Sequence, residues 1–306
     1  MVNVYTCTMN LAIDLYIETE QLIPKVVNRT IDDDIQANGK GVNVSLLLKM
    51  LGIPNTALGF SGGFTGDYIE QFLNKQDIQT QFVPVDGITR INVFTQVNSE
   101  QNEYKLVNKG PEIDSSSIDA LLQQIRQFKS GDYLCVSGSL PRGVSPSILI
   151  EISKICFENK VNLIIDSSYA EILECLPYKP FLLKPNEDEL AEWFGKEYLD
   201  EEEYVTYGKK LIAAGAKNVL LSLGSEGAIF INQEHCLRGN SPKGKLVNSA
   251  CAGDTLLGTF LAGLIKENDL AETLRTSIAA GSSTAFRKGL TDLSDVAELE
   301  KQITIE

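Results

Sequence analysis

Asp132–Ser137 reads D-Y-L-C-V-S, and Val161–Asp166 reads V-N-L-I-I-D. Each is a short apolar run, too brief for an ordinary helix and suited to a strand buried on both faces. Between them, Pro146–Asn159 carries apolar residues at helical spacing. Moving outward, Phe181–Lys184 and Asn218–Leu223 repeat the strand signature, with a helical pattern over Tyr204–Ala214 between them. Strands of this kind alternating with helices point to a mostly parallel sheet, because a parallel neighbour is reached only by a long crossover. The last third is mostly helical, over Asp254–Lys266, Leu270–Phe286 and Ser294–Ile303.

Toward the N-terminus, Val2–Thr8 reads as a first central strand, followed by a helix over Gly41–Leu51, a strand over Asn55–Phe60 and a helix over Thr65–Asn74. Asn10–Ile35 has no helical period and is rich in β-formers and acids. Gln81–Val85, Arg90–Val97 and Glu103–Val107 read as antiparallel strands. The expectation is a single α/β domain over residues 1–306. Its central sheet is mostly parallel and flanked by helices, and strand-rich insertions at about 11–37 and 85–110 form a small β-strand lid.

Hydrophobic residues make up 43% of the 306, enough for a sizeable core. Lys and Arg number 27 against 41 Asp and Glu, a formal charge of −14. Nucleic acid and anionic membranes are therefore not expected as partners, and an anionic small molecule would need a local basic pocket. No apolar run approaches the roughly 20 residues of a membrane span. The first lysine is Lys25, so no basic leader region is evident, and a cytoplasmic location is expected. The six cysteines form no C-x-x-C pair and mostly read as reduced core thiols. His235 is the one histidine, which excludes a histidine pair for metal and leaves proton transfer to carboxylates.

Asn248–Gly258 reads N-S-A-C-A-G-D-T-L-L-G. A carboxylate, Asp254, follows two small residues at the start of an apolar helix. A helix start offers free N–H groups to a phosphate, and an aspartate beside it can take a proton from an attacking hydroxyl. The same aspartate could instead simply cap the helix. Q-A-N-G-K-G-V-N-V (36–44) combines glycines that admit a ligand, the cation Lys40 and the donor–acceptor Asn43, which suits a phosphorylated polyol. Asp14 follows the first strand and can accept from two sugar hydroxyls, and Arg90 can grip a phosphate. In L-L-K-P-N-E-D-E (182–189), Asn186 and Glu189 can form a capping box, or can lie around a Mg²⁺ ion through water with Lys184 on phosphates. S-L-G-S-E-G (222–227) is a glycine turn at a strand end, where α/β proteins hold nucleotides. The P-loop, protein-kinase and G-x-G-x-x-G signatures are absent.

In this order, these stretches resemble the ribokinase-like sugar kinases, the PfkB family, over essentially the whole chain. T-M-N-L-A-I-D (8–14), G-K-G-V-N-V-S (39–45), G-F-S-G-G-F-T-G-D (59–67), T-R-I-N-V (89–93), S-G-S-L-P (137–141) and K-P-N-E-D-E-L (184–190) are most similar to its 1-phosphofructokinase branch. Tagatose-6-phosphate kinase is a near sister. The resemblance implies a ribokinase-like fold, ATP with Mg²⁺, and transfer to fructose 1-phosphate, giving fructose 1,6-bisphosphate and ADP. It implies Asp254 as base and the amides of Cys251, Ala252, Gly253 and Asp254 as the anion hole. Asp14, Gly39 and Asn43 would bind sugar hydroxyls, and Lys40, Arg90 and Ser139 the phosphate already on the sugar. Lys184, Asn186, Ser222, Leu223, Gly224, Ser225, Glu226, Gly227 and Gly253 would lie on ATP, with Glu189 and Asn186 toward Mg²⁺. A homodimer joined through the lid strands is implied as well. Two positions depart from the family's motifs: its G-A-G-D begins here with Cys251, and its G-G-K-G with Asn38. A Cβ at 251 is strained if that residue takes positive φ, and the Asn38 side chain takes space near the sugar. These departures motivate a rival from another class, a sugar-phosphate sensor without turnover.

Overall fold

The computed structural model describes residues 2–306. Its strands are β1 (Val4–Thr8), β2 (Ala12–Thr19), β3 (Asp32–Asn38), β4 (Thr56–Ser61), β5 (Gln79–Pro84), β6 (Arg90–Val97), β7 (Asn102–Leu106), β8 (Tyr133–Ser137), β9 (Asn162–Asp166), β10 (Leu182–Leu183), β11 (Asn218–Ser222), β12 (Ala228–Asn232) and β13 (Cys236–Gly239). Its helices are α1 (Lys40–Met50), α2 (Gly63–Lys75), α3 (Ser115–Arg126), α4 (Ser147–Asn159), α5 (Ile172–Cys175), α6 (Glu187–Trp193), α7 (Glu201–Ala214), α8 (Ala252–Ile265), α9 (Leu270–Ala285) and α10 (Val296–Glu300).

Nine strands form one sheet in the order β13-β12-β11-β10-β9-β8-β1-β4-β5. It is parallel from β11 to β5 and closes at one edge with the antiparallel strands β12 and β13. Side chains alternate across a strand, and here both faces are covered. Leu134, Val136, Leu163, Ile165, Val219 and Leu221 pack into one core with residues of α3, α4 and α7. Cys135, Ile164 and Leu220, the residues between them, pack into the other with α1, α8 and α9. This double burial explains why these strands read as unbroken apolar runs.

The remaining strands form a second sheet in the order β3-β2-β6-β7. β2 pairs antiparallel with β3 and parallel with β6, and β6 pairs antiparallel with β7. One expectation is corrected. Gln81–Val85 reads as an antiparallel strand, yet β5 is the edge of the large sheet and runs parallel to β4. The intervening helix α2 returns the chain to the same end of the sheet, which makes the neighbour parallel. Sequence reasoning also missed α3; Asp114, whose side chain accepts from the Ser117 amide, is the N-cap signal that marks it.

The carboxyl ends of β1, β8, β9, β10 and β11 bring Thr8, Ser137, Asp166, Leu183 and Ser222 to one edge. The chain leaves β1 toward β4 on one side and, through later crossovers, toward β8 on the other. Ligands of open α/β sheets bind where the strand order reverses in this way. Among the described residues no helix is long and apolar enough to cross a membrane.

Candidate active site

Helix α8 starts at this edge and is apolar almost all round; Leu256, Leu257, Phe260 and Leu261 are all buried between α1 and α9. Each such side chain contributes about 1.5–3 kcal/mol, more than the ~1 kcal/mol of a helix cap. Packing therefore fixes the helix start, and the sequence there is free for other work. Cys251 takes the N-cap position in the left-handed region (φ 63°) and makes no side-chain cap bond. The amides of Gly253 and Asp254 find no acceptor among the described residues, and that of Ala252 makes only a long bond of 3.4 Å to the Ser249 carbonyl. Asp254 does not act as a cap. Its carboxylate, 5% exposed, accepts from Asn43 Nδ2 at 2.8 Å. Burial, and after it the negative charge of Asp166, push Asp254 up to about 6, against the pull of Lys40, Asn43 and Lys184.

Asp166 closes β9 and is fully buried. Its Oδ1 takes both Lys184 Nζ at 3.1 Å and Lys40 Nζ at 3.2 Å, while Oδ2 has no partner among the described residues. Burial would raise its pKa, but Lys184 and Lys40 outweigh that and hold it below the usual carboxylate range. The two carboxylates thus divide their roles: Asp166 carries the charge, and Asp254 is poised to accept a proton. Burial pulls Lys40 down, yet Asp166, Asp254 and Glu189 more than offset it and raise its pKa. Sequence reasoning missed Asp166; the signal was an acid ending the apolar strand N-L-I-I-D (162–166).

A second group lies between the two sheets. Asp14 is buried on β2; Oδ1 accepts from Asn92 Nδ2 at 2.8 Å and Oδ2 from Asn38 Nδ2. Burial raises its pKa, against the pull of Asn92, Asn38 and Arg90. Asn38 sits in extended backbone at the end of β3, not in the left-handed region. Its Oδ1 accepts from the Gly39 amide at 2.6 Å and from Asn43 Nδ2 at 3.0 Å. Gly39 (φ 145°) lies so close to β1 that a Cβ there would stand 2.6 Å from Thr8 Cγ2. Arg90 donates to the carbonyls of Asn108 and Asn10, both at 3.2 Å, and its buried Nε is unpartnered among the described residues. Asn10 in turn donates to Ser139 Oγ at 3.2 Å. The structure thus groups Arg90 with Ser139 through Asn10. It sets Lys40 against Asp166 and Lys184, although the Lys40 stem also passes the space above Gly138, next to Ser139. Asn10 and Asn92 were not singled out from sequence; both are asparagines flanked by apolar residues, the available signal.

The remaining residues line the same edge beyond Lys184. Asn186 and Glu189 form a complete capping box on α6, with Glu189 N donating to Asn186 Oδ1 at 2.7 Å and Asn186 N to Glu189 Oε2 at 3.0 Å. Glu189 keeps its other oxygen outside the box, and its charge reaches Lys40. Ser222 bridges to Asn186, and Leu223 to Gly227 turn tightly, with Leu223 N donating to the Gly227 carbonyl at 2.9 Å; Gly224, Ser225 and Glu226 form a short 3-10 turn between them. A Cβ on Gly253 would meet Lys184 Nζ at 3.5 Å, so the bare glycine keeps open a space between two free amides and an ammonium group. That space fits a phosphate chain. For a divalent ion, no group of three or more His, Cys, Asp or Glu clusters among the described residues. The unpartnered Asp166 Oδ2 and the spare Glu189 oxygen are hard donors. They fit a Mg²⁺ ion that takes most of its oxygens from phosphates and water.

The family model described as pfkB family carbohydrate kinase matches residues 4–297. The chain is 50% identical to a D-tagatose-1-phosphate kinase of Bacillus licheniformis, over 99% of each chain. It is 37% identical to a 1-phosphofructokinase of Bacillus subtilis, again over 99% of each. Among solved structures, it superposes on phosphofructokinase-2 from Escherichia coli in complex with fructose-6-phosphate with a TM-score of 0.89 and 28% identity, covering 98% of this chain and 99% of that one.

Proposed function

The chain belongs to the pfkB family of carbohydrate kinases, and we propose that it carries the γ-phosphoryl group of ATP to the C6 hydroxyl of a ketohexose 1-phosphate. That it is a sugar-phosphate kinase, using ATP with Mg²⁺, follows from the family and its relatives. The observation that carries the mechanism is the juxtaposition of the buried carboxylate Asp254 with the free amides of its own helix start and with Lys184.

In this reading Asp254 accepts the proton of the attacking hydroxyl as the oxygen bonds to the γ-phosphorus. The amides of Gly253 and Asp254, with that of Cys251, donate to the phosphoryl oxygens, whose negative charge the helix start also favours. Lys184 and Lys40, held on Asp166, keep two positive charges beside the phosphate chain without freely mobile side chains. A bound Mg²⁺ would neutralise charge on the phosphate oxygens, with Asp166 and Glu189 as its protein-side oxygen donors. Arg90 and Ser139 receive the phosphate at C1, and Asp14 and Asn43 the hydroxyls between. The Ser222–Gly227 turn carries the nucleotide. The small sheet closes over the site as a lid and excludes water. Exposed apolar side chains on and beside that sheet, among them Ile31, Ile35, Tyr104, Leu106 and Val107, support pairing of two chains through it.

Two acceptors fit this reading. D-Fructose 1-phosphate is the first; D-tagatose 1-phosphate is favoured by the relative that shares half the sequence. A panel of both sugars, together with D-tagatose 6-phosphate and D-fructose 6-phosphate, decides the matter by ADP release with ATP and Mg²⁺. Higher kcat/KM on a 1-phosphate is expected. Preference for a 6-phosphate would overturn the choice of acceptor, and sugar-phosphate binding by calorimetry without ADP release would favour a sensor.

A further inference from the structure

The two positions that depart from the family's motifs, 38 and 251, meet at one side chain. The Asn43 carboxamide has two hydrogens and three acceptors: Asn38 Oδ1 at 3.0 Å, Cys251 Sγ at 3.1 Å and Asp254 Oδ2 at 2.8 Å. Asn38 then reaches the other way, donating to Asp14. It is a strut from Asp14 on the small sheet to Asn43 on α1, and through Asn43 to Asp254. Both acceptor directions of its Oδ1 are filled, by Gly39 N and Asn43. Its amide nitrogen has one hydrogen left, so toward a ligand Asn38 is a donor only.

D-Fructose 1-phosphate and D-tagatose 1-phosphate differ only in configuration at C4. They share the phosphate that Arg90 would grip and the C6 hydroxyl that Asp254 would deprotonate, so neither group can tell them apart. Discrimination falls to the polar groups between these ends, and Asn38 bridges them. We propose that Asn38 is a specificity-determining residue that decides which C4 epimer is turned over, by fixing the spacing of Asp14 and Asn43 and offering one N–H donor where a sugar hydroxyl must accept. The proposal rests on the ketohexose 1-phosphate reading above. A hydroxyl of the wrong configuration leaves that donor, and the oxygens of Asp14, without the bond the site is built for, which is where a polar site discriminates most strongly.

The test is the ratio of kcat/KM for the two 1-phosphates in wild-type protein and in Asn38→Ala and Asn38→Ser, each with KM for ATP and a urea midpoint. Position 38 is extended, so neither replacement meets a backbone penalty. The ratio should move by about tenfold or more in both variants while KM for ATP stays within about twofold. A ratio within about twofold of wild type overturns the role of Asn38 and leaves the substrate reading intact. If ATP affinity and both sugar activities fall together, Asn38 is merely structural and the proposal fails. If the wild-type protein turns over neither 1-phosphate, the substrate reading and the proposal fall together.

Discussion

In the proposed mechanism Asp254 is the residue on which the chemistry turns, and its environment has a measurable consequence. Burial and the nearby Asp166 charge push it up to about 6. A base must be ionised, so a raised pKa costs activity on the acid side: above about 6 the carboxylate can accept a proton, and below it the site is blocked. At saturating ATP and Mg²⁺, kcat/KM for the acceptor should fall about tenfold per pH unit below a break near about 6. A profile flat down to pH 4 would mean that Asp254 is not the base. Cys251 shows what the same stretch tolerates. A non-glycine residue in its left-handed conformation costs about 1–2 kcal/mol, and the packing of α8 is large enough to absorb that. Burial pushes its thiol up to about 12, so at working pH it is neutral and no nucleophile.

Elements differed in how plainly the sequence announced them. The buried strands β8, β9 and β11 were legible because both faces are apolar, and so was α8. β6 spans Arg90–Val97, the range read from its pattern. What alternation cannot tell is the direction of a neighbour, and so Gln81–Val85 reads as an antiparallel strand although β5 runs parallel to β4. The helix before it, α2, held the answer, since a crossover helix implies a parallel return. At the site, Asp14, Asn43, Lys184 and Asp254 stand out as isolated polar residues beside glycines or strand ends. Asp166 did not, because one acid at the end of a strand is a common turn residue. Its importance appears only once the fold brings Lys40 and Lys184, 144 positions apart in number, to a single oxygen. Asn38 was visible as a departure from a motif, but its link between Asp14 and Asn43 depends on the pairing of β2 with β3 and on the start of α1.

The whole molecule is a helix-covered sheet with a smaller sheet over one edge. The apolar side chains exposed on the smaller sheet predict that the protein sediments at micromolar concentration with twice the mass of one 306-residue chain. Replacing Ile35 and Leu106 by lysine should return it to a single chain; wild-type protein sedimenting as one chain would remove the lid-to-lid pairing. Everything else depends on the site where the large sheet, α8 and the small sheet meet. The most direct test is Asp254→Asn, which keeps the shape and an oxygen to accept from Asn43 but cannot take a proton. With ATP, Mg²⁺ and the better ketohexose 1-phosphate, kcat should fall by about two to four decades while calorimetric ATP affinity stays near that of the wild type. Turnover near the wild-type rate in a correctly folded Asp254→Asn protein would contradict the proposed chemistry.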